Sequence, residues 1–560
     1  MAQKAFKKRQ FYKDEPGRLK QELKWLGSRM KTHRRAIAGI LLLGMLGTVM
    51  SLISGIVTKY LIDAVTVKRL DTLVKAAVVM AVLTASGVLL QSWAARYSAL
   101  THVRVRNQLQ QELYSRLMNA DWQSIEHYQS GDLLSRLNGD VSAVSEGLIG
   151  FVPGVLIAAV KLLGALGIIL YFDPVMALIV LAGTPVTLIL SRLLLRKLHK
   201  LDLSIKELNG QVMAFQEDSL RNLTSIKAFG ASAAYEREMT RLHETYRDKF
   251  HSYADFRIAV TTCLSLAGMA VTAASLCWGV YRLWIGAITY GSLVLFLQLA
   301  SVLRGGFSAL TSSMQQAVNI GTSAERVMEL EQMPIEESAV PEGFREEQNF
   351  EIRLNRLKFE YQAGGVILND FDFYAMPGEM IAVTGQSGAG KTTLLRLLLG
   401  LIKPQAGQAI LKGANGSYPI SGGTRSAFAY VPQGSSIFAG TVAHNLRIVA
   451  EDATDDELCN ALKTACAWSF VEQLGGLNYE LGSGGSGISE GQAQRLAIAR
   501  ALLCKAPILL LDEATSGLDA ETEEKLLRNL QESNLIKTCV LVTHRETTAK
   551  ICTRTYHLGK

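Results

Sequence analysis

No two of the seven cysteines, at positions 263, 277, 459, 466, 504, 539 and 552, form a Cys-x-x-Cys pair. That removes the support for a zinc ribbon or a dithiol redox motif and predicts reduced, buried thiols. Beyond residue 35 the chain also lacks net charge: 46 Lys and Arg face 47 Asp and Glu. The +8 of the whole chain resides in residues 1–35, where 12 basic residues meet 3 acidic ones. Nucleic acid is therefore not an expected partner. A cytoplasmic flank under the positive-inside rule accounts better for the basic arm, because an apolar span begins at Ala36. No cleavable leader is expected, since the first apolar run starts late and is too long. Disorder and small disulfide scaffolds are excluded by 560 residues of which 49% are hydrophobic.

What the chain does have is long uncharged runs, at 36–58, 76–95, 147–160 with 162–172, 174–191, 258–281 and 283–303. Each approaches the roughly 20 residues that span a bilayer, so six spans are expected. The connections 96–146 and 192–257 are long, polar and helical in pattern, and carry 5 and 12 Lys/Arg. Both belong inside with the basic arm. Asp121–Tyr128 and Leu220–Phe229 read as short crosswise helices at their cytoplasmic tips. Residues 17–31 place Leu19, Leu23, Leu26 and Met30 at helical spacing, which suits a helix in the membrane interface.

The expected organisation is a basic segment over 1–35, a transmembrane domain over 36–332, a linker over 333–350 and a polar domain over 351–560. In the last, the runs Ile381–Thr384, Phe428–Val431, Ile508–Leu511 and Cys539–Val542 alternate with helical stretches. That predicts an α/β domain whose strands are buried on both faces.

The polar domain carries the chemistry. Gly385-Gln386-Ser387-Gly388-Ala389-Gly390-Lys391-Thr392 fits G-x-x-x-x-G-K-[ST] between an apolar strand and a helix that opens with Thr393. Glycines let backbone N–H groups wrap phosphates, and the helix N-terminus favours anions. Lys391 is expected at the β/γ-phosphates and Thr392 at Mg²⁺. The strand Ile508–Leu511 delivers Asp512, suited to the metal shell, and Glu513, suited to a general base. Ile488-Ser489-Glu490-Gly491-Gln492 opens an amphipathic helix that runs to Arg500.

These three elements, in this order, resemble the nucleotide-binding domain of an ABC transporter, and residues 488–492 resemble its L-S-G-G-Q signature. The resemblance implies further roles: Tyr361 as the aromatic that stacks on adenine, Gln433 as the Q-loop glutamine, Ser516–Asp519 as the D-loop and His544 as the switch histidine. It makes Ser489, Gly491 and Gln492 part of the nucleotide site of a facing domain. Gly131-Asp-Leu-Leu-Ser-Arg136…Asp140 and Leu223–Phe229 resemble family segments near the coupling helices. Three departures stand out. Glu490 replaces a signature glycine, Ser483 takes the place of a usual acidic residue, and only 16 residues follow His544.

The implied fold is an α-helical six-span transmembrane domain plus an α/β P-loop domain. The implied activity is ATP-driven export by a dimeric half-transporter, most simply a homodimer with a heterodimer as the alternative, with ATP and Mg²⁺ as cofactors in a bacterial plasma membrane. Cargo is expected to be an amphipathic peptide, lipid or drug-like molecule. With about 35 residues before the first span, no fused peptidase domain is expected. Lys161 and Arg304 interrupt uncharged stretches, where charge is costly and usually faces a pathway or a partner. They point to anionic cargo; snorkelling, or pairing with a carboxylate such as Glu146 or Glu217, is the alternative. An ATP-gated channel, a regulatory receptor or an exporter-shaped importer remain other readings of the same architecture.

Overall fold

The computed structural model describes residues 16–559 except Gln129, 362–364, Ser387, Ser435 and 534–537; some side chains within elements, those of Arg304 and Ser483 among them, also lie outside that description. The chain divides into two units, residues 1–114 with 131–331 and residues 115–130 with 332–560.

The first unit is helical: α1 (Pro16–Thr32), α2 (Arg34–Thr66), α3 (Leu70–Met118), α5 (Ser130–Phe172), α6 (Pro174–Arg221), α7 (Leu223–Ala228), α8 (Ser232–Trp284) and α9 (Tyr290–Glu331). The short α4 (Trp122–Ile125) falls in the second unit. Among the described residues α2, α3, α5 and α8 are long and apolar enough to cross a membrane. Tyr290–Leu303, at the start of α9, is a shorter apolar stretch, and α6 carries the fourth expected run.

The uncharged run 283–303 is not one helix. The chain turns between Trp284 and Tyr290, with Gly286 at φ +71°. The charges that punctuate the runs find each other. Asp173 caps α6 through Oδ1, accepting from the backbone N–H groups of Val175 (3.0 Å) and Met176 (3.1 Å), and its Oδ2 lies 3.1 Å from Arg282 Nε. Its side chain is only 2% exposed, and such burial of a carboxylate requires this partner set.

The crosswise helices expected at 121–128 and 220–229 correspond to α4 and α7. Two α1 side chains reach other helices: Trp25 Nε1 donates to Glu331 Oε2 (2.7 Å), and Arg29 pairs with Glu331 and with Glu112. Within α5, two π-helical turns, Arg136–Asp140 and Gly147–Phe151, interrupt the α-helical ladder. Arg136, buried there, pairs with Asp132 (3.0 Å) and with Glu329 of α9 (2.7 Å). Arg326 pairs with Asp132 and Asp140.

The second unit has the expected strands in one parallel sheet of order β11-β3-β10-β9-β6. They are β3 (Met380–Gly385), β6 (Phe428–Val431), β9 (Ile508–Asp512), β10 (Thr538–Val542) and β11 (Arg554–Leu558). Every residue of β9 and β10 is buried, as strands covered on both faces require. An antiparallel sheet of order β2-β1-β4-β5 lies alongside, built from β1 (Glu351–Glu360), β2 (Val366–Ala375), β4 (Ala406–Lys412) and β5 (Ser417–Pro419).

The cysteine expectation needs correction. No disulfide forms among the seven, but only Cys539 is buried, while Cys263, Cys277 and Cys504 are exposed. The first two sit on α8, in an apolar stretch long enough to cross a membrane, and apolar surroundings of either kind accommodate a thiol.

Candidate functional site

The parallel sheet places the chemistry. In such a sheet, ligands sit outside the carboxyl ends of the strands. Lys391 follows β3, His544 follows β10, Glu513 follows β9 and Gln433 follows β6, four adjacent strands. Their side chains form one row. Lys391 Nζ lies 2.9 Å from His544 Nε2, which lies 2.7 Å from Glu513 Oε1. Gln433 Nε2 donates to Glu513 Oε2 at 2.7 Å. Deprotonated, the His544 nitrogen accepts from Lys391; protonated, it donates to Glu513.

The phosphate-type loop is built on backbone conformations that glycine favours. Gly385, Gly388 and Gly390 have φ of +153°, +81° and +97°. A Cβ on Gly385 would meet Leu558 O at 2.4 Å, so β11 closes directly over the loop's first residue. Gly390 is the N-cap of α10 (Lys391–Leu398). Gln386 O accepts from the Ala389 N–H at 3.1 Å. Lys391 Nζ donates to Gly385 O (2.8 Å) and Gln386 O (3.3 Å), which holds the ammonium over the loop. Thr393 is buried beneath it. Ser387 lies outside the described residues.

Burial pushes the Asp512 carboxyl above its usual range; a Thr392 hydrogen bond opposes this, the Glu513 charge adds to it, and Tyr430 and Lys391 pull it back. The Tyr430 hydroxyl donates to Asp512 Oδ2 at 3.4 Å, and its own pKa is pushed up to about 12, by burial first and then by the Asp512 charge. Glu513 has φ +51°, a left-handed conformation that costs a non-glycine residue of order 1 kcal/mol. The strain turns the chain after β9 so that the carboxylate faces Gln433 and His544. The Thr392 hydroxyl bonded to the Asp512 carboxylate, together with the amide oxygen of Gln433 beside Glu513, offers oxygen donors only. Such a set fits Mg²⁺, which takes one or two carboxylates together with phosphate oxygens and water.

Tyr361 follows β1. Its ring packs edge-on to Phe359 at 4.8 Å, and its hydroxyl accepts from Arg396 Nη1 at 3.1 Å.

The signature residues form a second cluster. Ser489 caps α11 (Glu490–Leu503) in a reciprocal box: its Oγ accepts from Gln492 N (3.3 Å) and Gln492 Oε1 accepts from Ser489 N (2.9 Å). Glu490 sits in the first turn, where the helix dipole favours an acid. Gly491 faces the D-loop so closely that a Cβ would meet Gly517 O at 2.5 Å. Among the described contacts none ties Ser489, Gly491 or Gln492 to Lys391 or Glu513. Gly491→Ala is therefore expected to displace the D-loop, destabilising the unit by about 1–3 kcal/mol and reducing ATPase activity. A thermal melt with a parallel ATPase assay checks this; an unchanged midpoint refutes the close packing.

Gln494, Arg495, Arg545 and Tyr430 escaped the sequence reading. Gln494 is buried between helix and D-loop: its Nε2 donates to Ser516 Oγ (3.2 Å) and its Oε1 accepts from Gly517 N (2.9 Å). An amide among the otherwise apolar buried residues of this helix was the available signal. Arg495 donates to Cys466 O (2.7 Å), and Arg545 to Leu518 O and Ser516 O (both 2.9 Å). Lys161, on α5, is half-buried and makes no ion pair among the described residues; Glu217 pairs with Arg221, and Glu146 accepts from Gln316. Arg304 lies on α9, its side chain outside the description.

Residues 37–307 match the ABC transporter transmembrane region family, and residues 368–516 match the ABC transporter family. An ATP-dependent lipid A-core flippase of Chromobacterium violaceum is 32% identical over 453 residues, 79% of this chain and 76% of that protein. A fatty acid ABC transporter ATP-binding/permease protein of Mycobacterium bovis is 27% identical over 465 residues, 82% of this chain and 73% of that protein. The fold is that of a solved bacterial Atm1-family ABC exporter with ATP bound, at a TM-score of 0.80, 24% identity and coverage of 94% and 93% of the two chains. With a helical membrane unit and an α/β unit carrying a P-loop in one polypeptide, the chain belongs to the ABC transporters, as a half-transporter of the exporter type: an integral membrane protein that binds ATP and couples its hydrolysis to transport.

Proposed function

We propose that two copies of this chain form the working transporter and export an amphipathic, lipid-like molecule with an anionic group. The observation that carries the homodimer reading is completeness: one chain holds Lys391, Asp512, Glu513, His544, Gln433 and an unbroken Ser489–Gln492 cap. Two identical chains then supply two whole composite sites, each P-loop faced by the partner's signature helix N-terminus. The boundaries proposed are 36–332 for the transmembrane domain, 333–350 for the linker and 351–560 for the nucleotide-binding domain. The N-terminus and the nucleotide-binding domain face the cytoplasm of a bacterial plasma membrane.

Each residue's work follows from its atoms. The loop N–H groups from Gly385 to Thr393, with Lys391, hold the phosphates, and Tyr361 carries the base. Glu513 takes the proton of the attacking water. His544, beside both Glu513 and Lys391, stabilises charge on the phosphoryl oxygens. Gln433 links Glu513 to the loop after β6. Bound Mg²⁺ would neutralise phosphate charge beside Thr392, Asp512 and Gln433.

The cargo class rests on two supports: the lipidic substrates in the names of two relatives, and a Lys161 ammonium on α5 without a carboxylate partner among the described residues. Arg304 is proposed to share that role. In proteoliposomes, ATPase should be stimulated by anionic lipids more than by neutral lipids, peptides or drugs. Lys161→Ala should weaken half-maximal stimulation about tenfold, the loss of one partly desolvated charge pair. Equal stimulation of Lys161→Ala and wild type would exclude an anion-binding Lys161. Uptake into inside-out vesicles separates export from import and from a channel.

A further inference from the structure

Residues 115–130, from the last turn of α3 to the start of α5, cluster with the nucleotide-binding unit. Backbone bonds secure them: Asp121 N to Pro334 O and Glu336 N to Asn119 O, both 2.9 Å. Arg116 Nη2 adds a bond to Met333 O at 2.7 Å. Beyond α4 the tip carries Glu126, whose Oε1 accepts from Arg396 Nη1 at 2.6 Å. That same nitrogen donates to the Tyr361 hydroxyl at 3.1 Å. The Arg396 and Glu126 side chains are each 29% exposed, so their pair is less screened than one in open solvent. Arg396 stands on α10, the helix that opens with Lys391, and its charge also acts on Tyr430, the hydroxyl donor to Asp512. The hydrolytic scheme uses neither Arg396 nor Glu126.

We propose that Arg396 is a positioning residue that ties the adenine platform at Tyr361 to the cytoplasmic tip at Glu126, so that seating the base and placing the tip are energetically linked. One Nη1 serves two acceptors. Each of its two N–H bonds can reach one acceptor, so any movement of the Tyr361 hydroxyl under a stacked base pulls on the guanidinium and alters its geometry with the Glu126 carboxylate. Linkage makes the effect reciprocal: whatever shifts the tip changes affinity for the base. The inference rests on the reading of Tyr361 as the base platform.

The test is a double-mutant cycle on the full-length chain in phosphatidylcholine–phosphatidylglycerol vesicles, reading KM for ATP and kcat separately. Tyr361→Phe and Glu126→Gln are each expected to raise KM about two- to tenfold with kcat held within about twofold, and the double variant to raise it no further than the larger single change. Increases that multiply in the double variant overturn the relay. So does a Glu126→Gln protein with wild-type KM while Tyr361→Ala raises KM, an outcome that leaves the base platform standing. A wild-type KM in Tyr361→Ala strikes the platform itself, and the relay with it.

Discussion

Glu513→Gln is expected to bind ATP as the wild type does and to hydrolyse it at least about 10²-fold more slowly, the lower range for loss of a general base. The substitution keeps the size of the side chain and one oxygen able to accept from Gln433 or His544. It removes the negative charge and the capacity to take a proton. Because the backbone is already turned to φ +51° at this position, the amide occupies the carboxylate's place without new strain. Nucleotide binding, which relies on the loop from Gly385 to Thr393 and on Lys391, has no direct contact with the changed group. Fluorescent-nucleotide binding and phosphate release, measured on the same preparation, separate the two quantities. Steady-state ATPase at the wild-type rate would contradict the assignment.

Arg136→Ala is expected to destabilise the membrane unit by about 3 kcal/mol, the lower end for removing one partner of a buried ion pair. The Arg136 side chain is 2% exposed and bonds Asp132, Glu329 and the Arg326 carbonyl. Without it, the carboxylates of Asp132, Asp140 and Glu329 are left around Arg326, which already pairs with two of them. Asp132 and Glu329 are 37% and 52% exposed, and water solvates them in part, which keeps the figure at the low end. Arg136→Lys should recover only part of the loss, since an ammonium cannot reproduce a fork that reaches three acceptors. Thermal unfolding in detergent gives the comparison; equal midpoints for Arg136→Ala and wild type would show that the network adds no net stability.

Much of the site was legible because its residues follow local rules. A strand, a glycine-rich turn and a helix N-terminus are consecutive in sequence, so the Gly385–Thr393 loop could be read directly. Asp512 and Glu513 were legible for the same reason, standing at the end of an apolar strand. The Gln494 bridge to Ser516 and Gly517 was not, because its partners lie more than twenty residues away and no local pattern connects them. The turn at 285–289 was hidden too: an uncharged run records the absence of charge, and a turn at a membrane edge can be as apolar as the helices beside it.

By itself the sequence determined the family, the membrane character, the strands of the parallel sheet and the identity of the phosphate loop, since each is carried by runs or motifs whose residues are contiguous in the chain. Only the tertiary structure decided that Lys391, His544, Glu513 and Gln433 stand in one row, because that row follows the strand order β3-β10-β9-β6, which differs from the order of the chain. It also decided that Asp173 meets Arg282 and that Glu126 reaches Arg396, pairs separated by 109 and 270 residues. In the first pair burial is the reason: the fold excludes water from the Asp173 carboxylate, and the cost of that exclusion is met only when Arg282 arrives.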